Sequence, residues 1–232
     1  MIARTDSKLH TVADACKGIN PKIEVQILAR NFSKNKDMQF YEEVRTEVGD
    51  KHIGLLVVNA GIYHPGKFWQ IDAETHEAML DCNVYQYAAF LNLFMPQMIA
   101  RGKKFGVITN SSLSGNATNP YNTTYSATKA FVNQLTKGIQ QENKFNDYDV
   151  LLLTPGLTLT RMPRGLDFMK SADSPAKCAE GALRDLGQDN ETAATVNADL
   201  SGMAISLANF FVPSALLNHI YAKVFEYHAT YF

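Results

Sequence analysis

The chain has 232 residues, enough for a sizeable core in one domain, and its 46% hydrophobic and 19% charged residues make a globular composition. A formal charge of −1 gives no basis for a nucleic-acid partner or a polybasic membrane patch. Three isolated cysteines (Cys16, Cys82, Cys178) and six histidines without ligand spacing exclude a disulfide framework and a zinc site, and fit a reducing compartment.

Helical patterns alternate with short apolar runs, which predicts βαβ units and a parallel sheet. After the opening Met1-Ile2-Ala3, the pattern predicts a helix from Asp6 to Lys17, capped by Asp6 or Ser7 and stopped by Gly18. A strand follows from Glu24 to Ala29, then a second helix ending near Gly49-Asp50. Gly54 to Val58 is an apolar run that ends in Asn59-Ala60-Gly61. Asp72 to Arg101 predicts one long helix, kinked at Pro96. Phe105 to Ser112 reads as a buried strand opening into a small-residue loop, and Tyr121 to Asn143 as a helix. Asp149 to Thr154 is a strand ending in Pro155-Gly156. A short helix from Pro175 to Leu186 and a final strand from Ala193 to Asn197 complete the pattern. Residues 1–200 form one expected domain, and 201–232 an aromatic helical extension packing on it. The apolar run before Pro213 is about half the ~20 residues of a spanning helix, which leaves a core-covering helix, a lipid-side wall and an interfacial helix open.

The chemistry concentrates in Tyr125-Ser126-Ala127-Thr128-Lys129. On a helix, positions i and i+4 share a face, so a phenol and an ammonium meet. A Lys beside a Tyr favours the phenolate, which is expected to pull the phenol below its ordinary pKa of about 10. That suits a general acid acting on a carbonyl oxygen. Ser112 lies at the end of one apolar run, and two other runs also end in small polar loops. In an open parallel sheet the ligand crevice lies outside such strand ends.

In these residues, from Met1 to about Thr160, the chain resembles the short-chain dehydrogenase/reductase family. The resemblance implies an α/β fold, a three-layer Rossmann-type parallel sheet with helices on both faces. It implies Ser112, Tyr125 and Lys129 as the catalytic set, with Asn83 as a fourth member in a proton relay to Lys129. It implies cofactor contacts from Asn59, Ala60 and Gly61, from Pro155, Gly156 and Thr160, and from Tyr125 and Lys129 on the ribose side. Arg4, directly after the first apolar run, suits the 2′-phosphate of NADP(H) over NAD(H). Asn31 stands where the family carries an Asp contacting adenine, and its amide offers an acceptor.

Tyr125 to Val132 and the stretch from Ser174-Pro175 onward look closest to the 17β-hydroxysteroid dehydrogenase and very-long-chain 3-oxoacyl-CoA reductase branch. That branch implies a lipophilic substrate, such as a 3-oxoacyl-CoA or a steroid, and the cytosolic face of the endoplasmic reticulum. It leaves membrane-surface association and homo-oligomer formation open. One departure stands out: the family's glycine-rich turn, Thr-Gly-x-x-x-Gly-x-Gly, does not occur in the sequence. The first strand and its turn are therefore expected to be missing, leaving an uncovered edge within the sheet. The rival expectation is a catalytically inactive dehydrogenase-like binding or scaffold protein that lost its phosphate loop.

Overall fold

The apolar runs that end in small polar loops are strands of a parallel sheet, as their continuous hydrophobicity requires when both faces are covered. The computed structural model describes residues 1–34, 37–143, 148–160, 172–211 and 216. Strands β3 (Leu55–Val58), β4 (Gly106–Asn110), β5 (Asp149–Leu153) and β6 (Glu191–Thr192) lie side by side in that order, all parallel. A separate parallel pair joins β1 (Ile2–Ala3) to β2 (Leu28–Ala29). The strand read over Glu24–Ala29 is thus shorter than its pattern, because only two residues find a partner.

Register sets the two faces. Val107 opposite Val150 faces helices α2 (Met38–Val48), α4 (Gln86–Ala100) and α5 (Thr123–Glu142). Ile108 opposite Leu151 faces the other side, where α6 (Pro175–Asp185) contributes Ala182. The first core is aromatic: Phe32, Phe40, Tyr41 and Phe90 meet edge-on or stacked at centroid distances of 5.1–6.3 Å. Each such pair contributes about 0.5–1.5 kcal/mol beyond its area. The outer edge of β3 has no strand partner among the described residues, and Leu55 and Val57 on one of its faces are 39% and 50% exposed.

Several boundaries differ from the pattern. Helix α1 (Asp6–Ile19) takes Thr5 as its N-cap and runs through Gly18 to Asn20, since glycine weakens a helix without ending it. The stretch read as one helix from Asp72 is α3 (Ala73–Leu80), a wide π-type turn at Asp81–Tyr85, and α4; Pro96 sits inside α4 without ending it. Ala193–Asn197 is not a strand: β6 comes earlier, Ala194 has φ +68°, and α7 (Val196–Phe211) has begun by Val196. Helix α7 therefore starts before the boundary placed at 201, and it packs Ala198 against Gly156 and Gly202 against Leu113. The later aromatics Tyr221, Phe225, Tyr227, Tyr231 and Phe232 lie outside the described residues.

Candidate active site

Three strand ends and one helix bring the predicted residues together. Ser112 follows β4 and caps the short helical turn Leu113–Asn116, its hydroxyl accepting from the Ser114 N–H at 3.1 Å. That turn presses on α5 at Gly115, where a Cβ would lie 2.8 Å from the Lys129 carbonyl carbon and 3.0 Å from the Ala130 nitrogen. Only glycine permits this approach. The Ser111 hydroxyl donates to the Lys129 carbonyl at 2.9 Å, fixing α5 against the end of β4.

Lys129 is buried, and its ammonium donates to the Asn110 carbonyl at 2.9 Å. The same carbonyl accepts from the Tyr87 hydroxyl at 2.7 Å. The ammonium lies 5.6 Å from the Tyr87 ring centroid and 5.7 Å from that of Tyr125, within cation–π range. Burial lowers its pKa to about 8, with the nearby Cys82 thiol pulling partway back. Lys129 therefore stays mostly charged at neutral pH.

The phenol behaves differently from the sequence expectation. Burial raises the Tyr125 pKa to about 12, and a hydrogen bond with Ser112 pulls the other way. Lys129 does not lower it here, because the ammonium faces the rings and bonds a neutral carbonyl. Tyr125 thus keeps its proton at neutral pH, with the Ser112 hydroxyl as the group that opposes the upward shift.

Asn83 is fully buried in the π-type turn. Its amide nitrogen donates to the Ile62 carbonyl at 2.8 Å and the Thr128 hydroxyl at 3.1 Å, while its oxygen accepts from the Ile62 N–H at 2.8 Å. The side chain is a clamp on the loop after β3. The direct hydrogen-bond partner of Lys129 is the Asn110 carbonyl. Gly61 lies beside both: a Cβ there would come 3.3 Å from the Asn83 oxygen and 3.7 Å from the Lys129 nitrogen.

A sequence profile described as short chain dehydrogenase matches residues 1–170. The chain belongs to the short-chain dehydrogenase family. A very-long-chain 3-oxoacyl-CoA reductase-A of Danio rerio is 30% identical over 197 residues, covering 83% of this chain and 60% of the relative. A human protein named inactive hydroxysteroid dehydrogenase-like protein 1 is 27% identical over 198 residues, covering 83% of this chain and 59% of its own length. Among solved structures, a 7beta-hydroxysteroid dehydrogenase superposes with a TM-score of 0.76 at 26% identity, covering 87% of this chain and 78% of that one.

In this short-chain dehydrogenase, the other predicted positions fall at the carboxyl ends of their strands. Arg4 is exposed after β1 and has no ion-pair partner among the described residues, whereas Arg30 after β2 is paired with Glu47. The Asn31 oxygen accepts from the Ser33 N–H at 3.2 Å and hydroxyl at 2.8 Å, so it closes a local turn and its acceptor is already engaged. Asn59 accepts from the Asn110 amide at 2.6 Å, bridging the ends of β3 and β4, with Ala60 and Gly61 beyond it. Pro155 accepts from the Leu113 N–H at 3.1 Å, tying the loop after β5 to the Ser112 turn. Gly156 lies under α7, and Thr160 is exposed beyond it.

Sequence reasoning missed Asn110, Tyr87 and Gly115. Asn110 acts on Lys129 through its backbone carbonyl, which no side-chain pattern reveals. Tyr87 is one aromatic within the long predicted helix, and Gly115 one glycine of a loop.

Proposed function

We propose that this chain is an NADP(H)-dependent oxidoreductase that reduces a carbonyl, or oxidises a secondary alcohol, on a lipophilic substrate such as a 3-oxoacyl-CoA or a steroid. The observation that carries the reading is the Ser112–Tyr125–Lys129 cluster, in which a protonated phenol with a serine hydroxyl beside it meets a buried ammonium. The residues fit a nicotinamide cofactor. Lys129 uses one hydrogen bond, to Asn110, among the described residues, and an ammonium has three donors. Gly61 keeps the space beside that ammonium open.

When bound, the cofactor supplies or accepts the hydride. Lys129, Gly61, Asn59, Pro155 and Gly156 would hold its nicotinamide end, and Arg4 its 2′-phosphate. Tyr125 holds the proton at its hydroxyl and passes it to the substrate oxygen, which Ser112 orients. Such general acid catalysis contributes about 10²–10⁴-fold. Leu113, after Ser112, lies against Gly156 and Gly202, and Leu159 is exposed, apolar groups that suit a lipophilic substrate body.

The cytosolic face of the endoplasmic reticulum, contact with a membrane surface, and assembly with a second copy belong to the same proposal and rest on the branch resemblance. Among the described residues, no helix is long and apolar enough to cross a membrane.

A second reading, a catalytically inactive dehydrogenase-like binding protein, is favoured by the human relative named inactive. Turnover separates the two. The purified chain is assayed with NADPH and with NADH against 3-oxoacyl-CoAs and oxo-steroids. The oxidoreductase reading expects reduction with NADPH preferred. Binding of these lipophiles without reduction by either cofactor would establish the second reading instead.

A further inference from the structure

A second phenol stands against Tyr125. Tyr63, in the loop after β3, meets it edge-on, with ring centroids 5.0 Å apart and an interplanar angle of 85°. The Tyr63 hydroxyl donates to the Asn122 side-chain oxygen at 2.8 Å. Asn122 is buried at the N-cap position of α5, the helix that carries Tyr125 and Lys129. Two further bonds bind the same region to that helix start. The Gly66 N–H donates to the Tyr121 carbonyl at 2.7 Å, and His76 shares a hydrogen bond with the Thr124 hydroxyl at 2.8 Å. On its other side, Tyr63 follows Ile62, whose backbone is gripped at both polar atoms by Asn83.

We propose that Tyr63 is a positioning residue for Tyr125: braced by Asn83 through Ile62 and by Asn122 through its hydroxyl, it fixes the Tyr125 ring and shields it from water. The geometry is that of a strap. One end is clamped to the π-type turn and the other to the first turn of α5, and the ring between them covers one side of Tyr125. Among the described residues, Lys129 on its own helix, Tyr87 on α4 and the Ser112 hydroxyl after β4 also act on Tyr125. Burial is what raises the Tyr125 pKa to about 12, so a ring that excludes water sustains that value.

The proposal deepens the catalytic reading of Tyr125, but its test needs no substrate. The chain is prepared with tyrosine labelled at the ring carbon bearing the hydroxyl. The Tyr125 resonance is assigned by its loss in Tyr125→Phe and titrated by NMR, with circular dichroism at each pH to verify the fold. Tyr63→Leu removes the ring and should shift the Tyr125 titration down by about one pH unit or more, towards the ordinary value of about 10. Tyr63→Phe keeps the ring but frees it from Asn122, and should shift it in the same direction by less. Unchanged titration in both variants overturns the proposal; if Tyr63→Leu does not fold, Tyr63→Phe decides alone. Loss of the catalytic reading would show separately, as turnover retained in Tyr125→Phe.

Discussion

Around β4 and β5 nearly every strand residue is buried and both strands have neighbours on both edges, whereas β1, β2 and the outer edge of β3 are short, half-covered or unpaired. The residues proposed for proton transfer all sit at the first, closed end. Those proposed for the far end of the cofactor, Arg4 and Asn31, sit at the open end. Packing accounts for the contrast in the chemistry. Burial holds a lysine near pKa 8 and a tyrosine near 12 at the closed end, while Arg4 at the open end is exposed. A site that must exclude water needs a scaffold filled on both faces, which β4 and β5 provide among the described residues.

The stability contrast between the two ends is the largest expected effect. Leu151 is fully buried in β5, and Leu151→Ala should cost about 2–5 kcal/mol in urea unfolding. Leu55 in β3 is 39% exposed, and Leu55→Ala should cost about 1 kcal/mol or less. Equal costs would mean that β3 is covered in solution.

Lys129 itself tests whether the closed end carries strain for function. Its folded pKa of about 8 lies below its ordinary 10.5. Between those values the unfolded chain binds more protons, so this group makes stability rise with pH across that window. Below pH 8 its cost is constant and on the order of 3 kcal/mol. Lys129→Met removes the buried charge and leaves the Asn110 carbonyl bonded to Tyr87. The variant should be about 1–3 kcal/mol more stable than the native chain at pH 7, with the gap closing from pH 8 to 10.5. A less stable variant would show that the ammonium is a net structural contributor.

The smallest effect is on the pH profile. As Lys129 loses its proton above about 8, kcat/KM for carbonyl reduction should fall roughly tenfold per pH unit. A flat profile through that range would remove Lys129 from the mechanism.

The fold and much of the site were legible because they rest on patterns that the sequence displays directly. Apolar runs gave β3, β4 and β5 to within a few residues, and the four-residue spacing of Tyr125 and Lys129 gave the shared helix face. What escaped depends on tertiary contact. The direction of the Tyr125 shift turned on burial outweighing a charge that bonds elsewhere. The bracing of Ile62 by both ends of the Asn83 amide is a contact that no local pattern displays. The Asn31 acceptor was taken by Ser33, two residues away, a local turn that competes with any ligand. Strand β2 fell short of its pattern because pairing, not hydrophobicity, decides where a strand ends.

The most direct test determines NADPH affinity and ketone turnover side by side for the native chain, Tyr125→Phe and Arg4→Ala. The closed end should govern chemistry and the open end binding. Tyr125→Phe should lose about 10²–10⁴-fold in turnover with NADPH affinity within about twofold, while Arg4→Ala should weaken NADPH and leave turnover at saturation intact. Turnover retained in Tyr125→Phe would contradict the account at its centre.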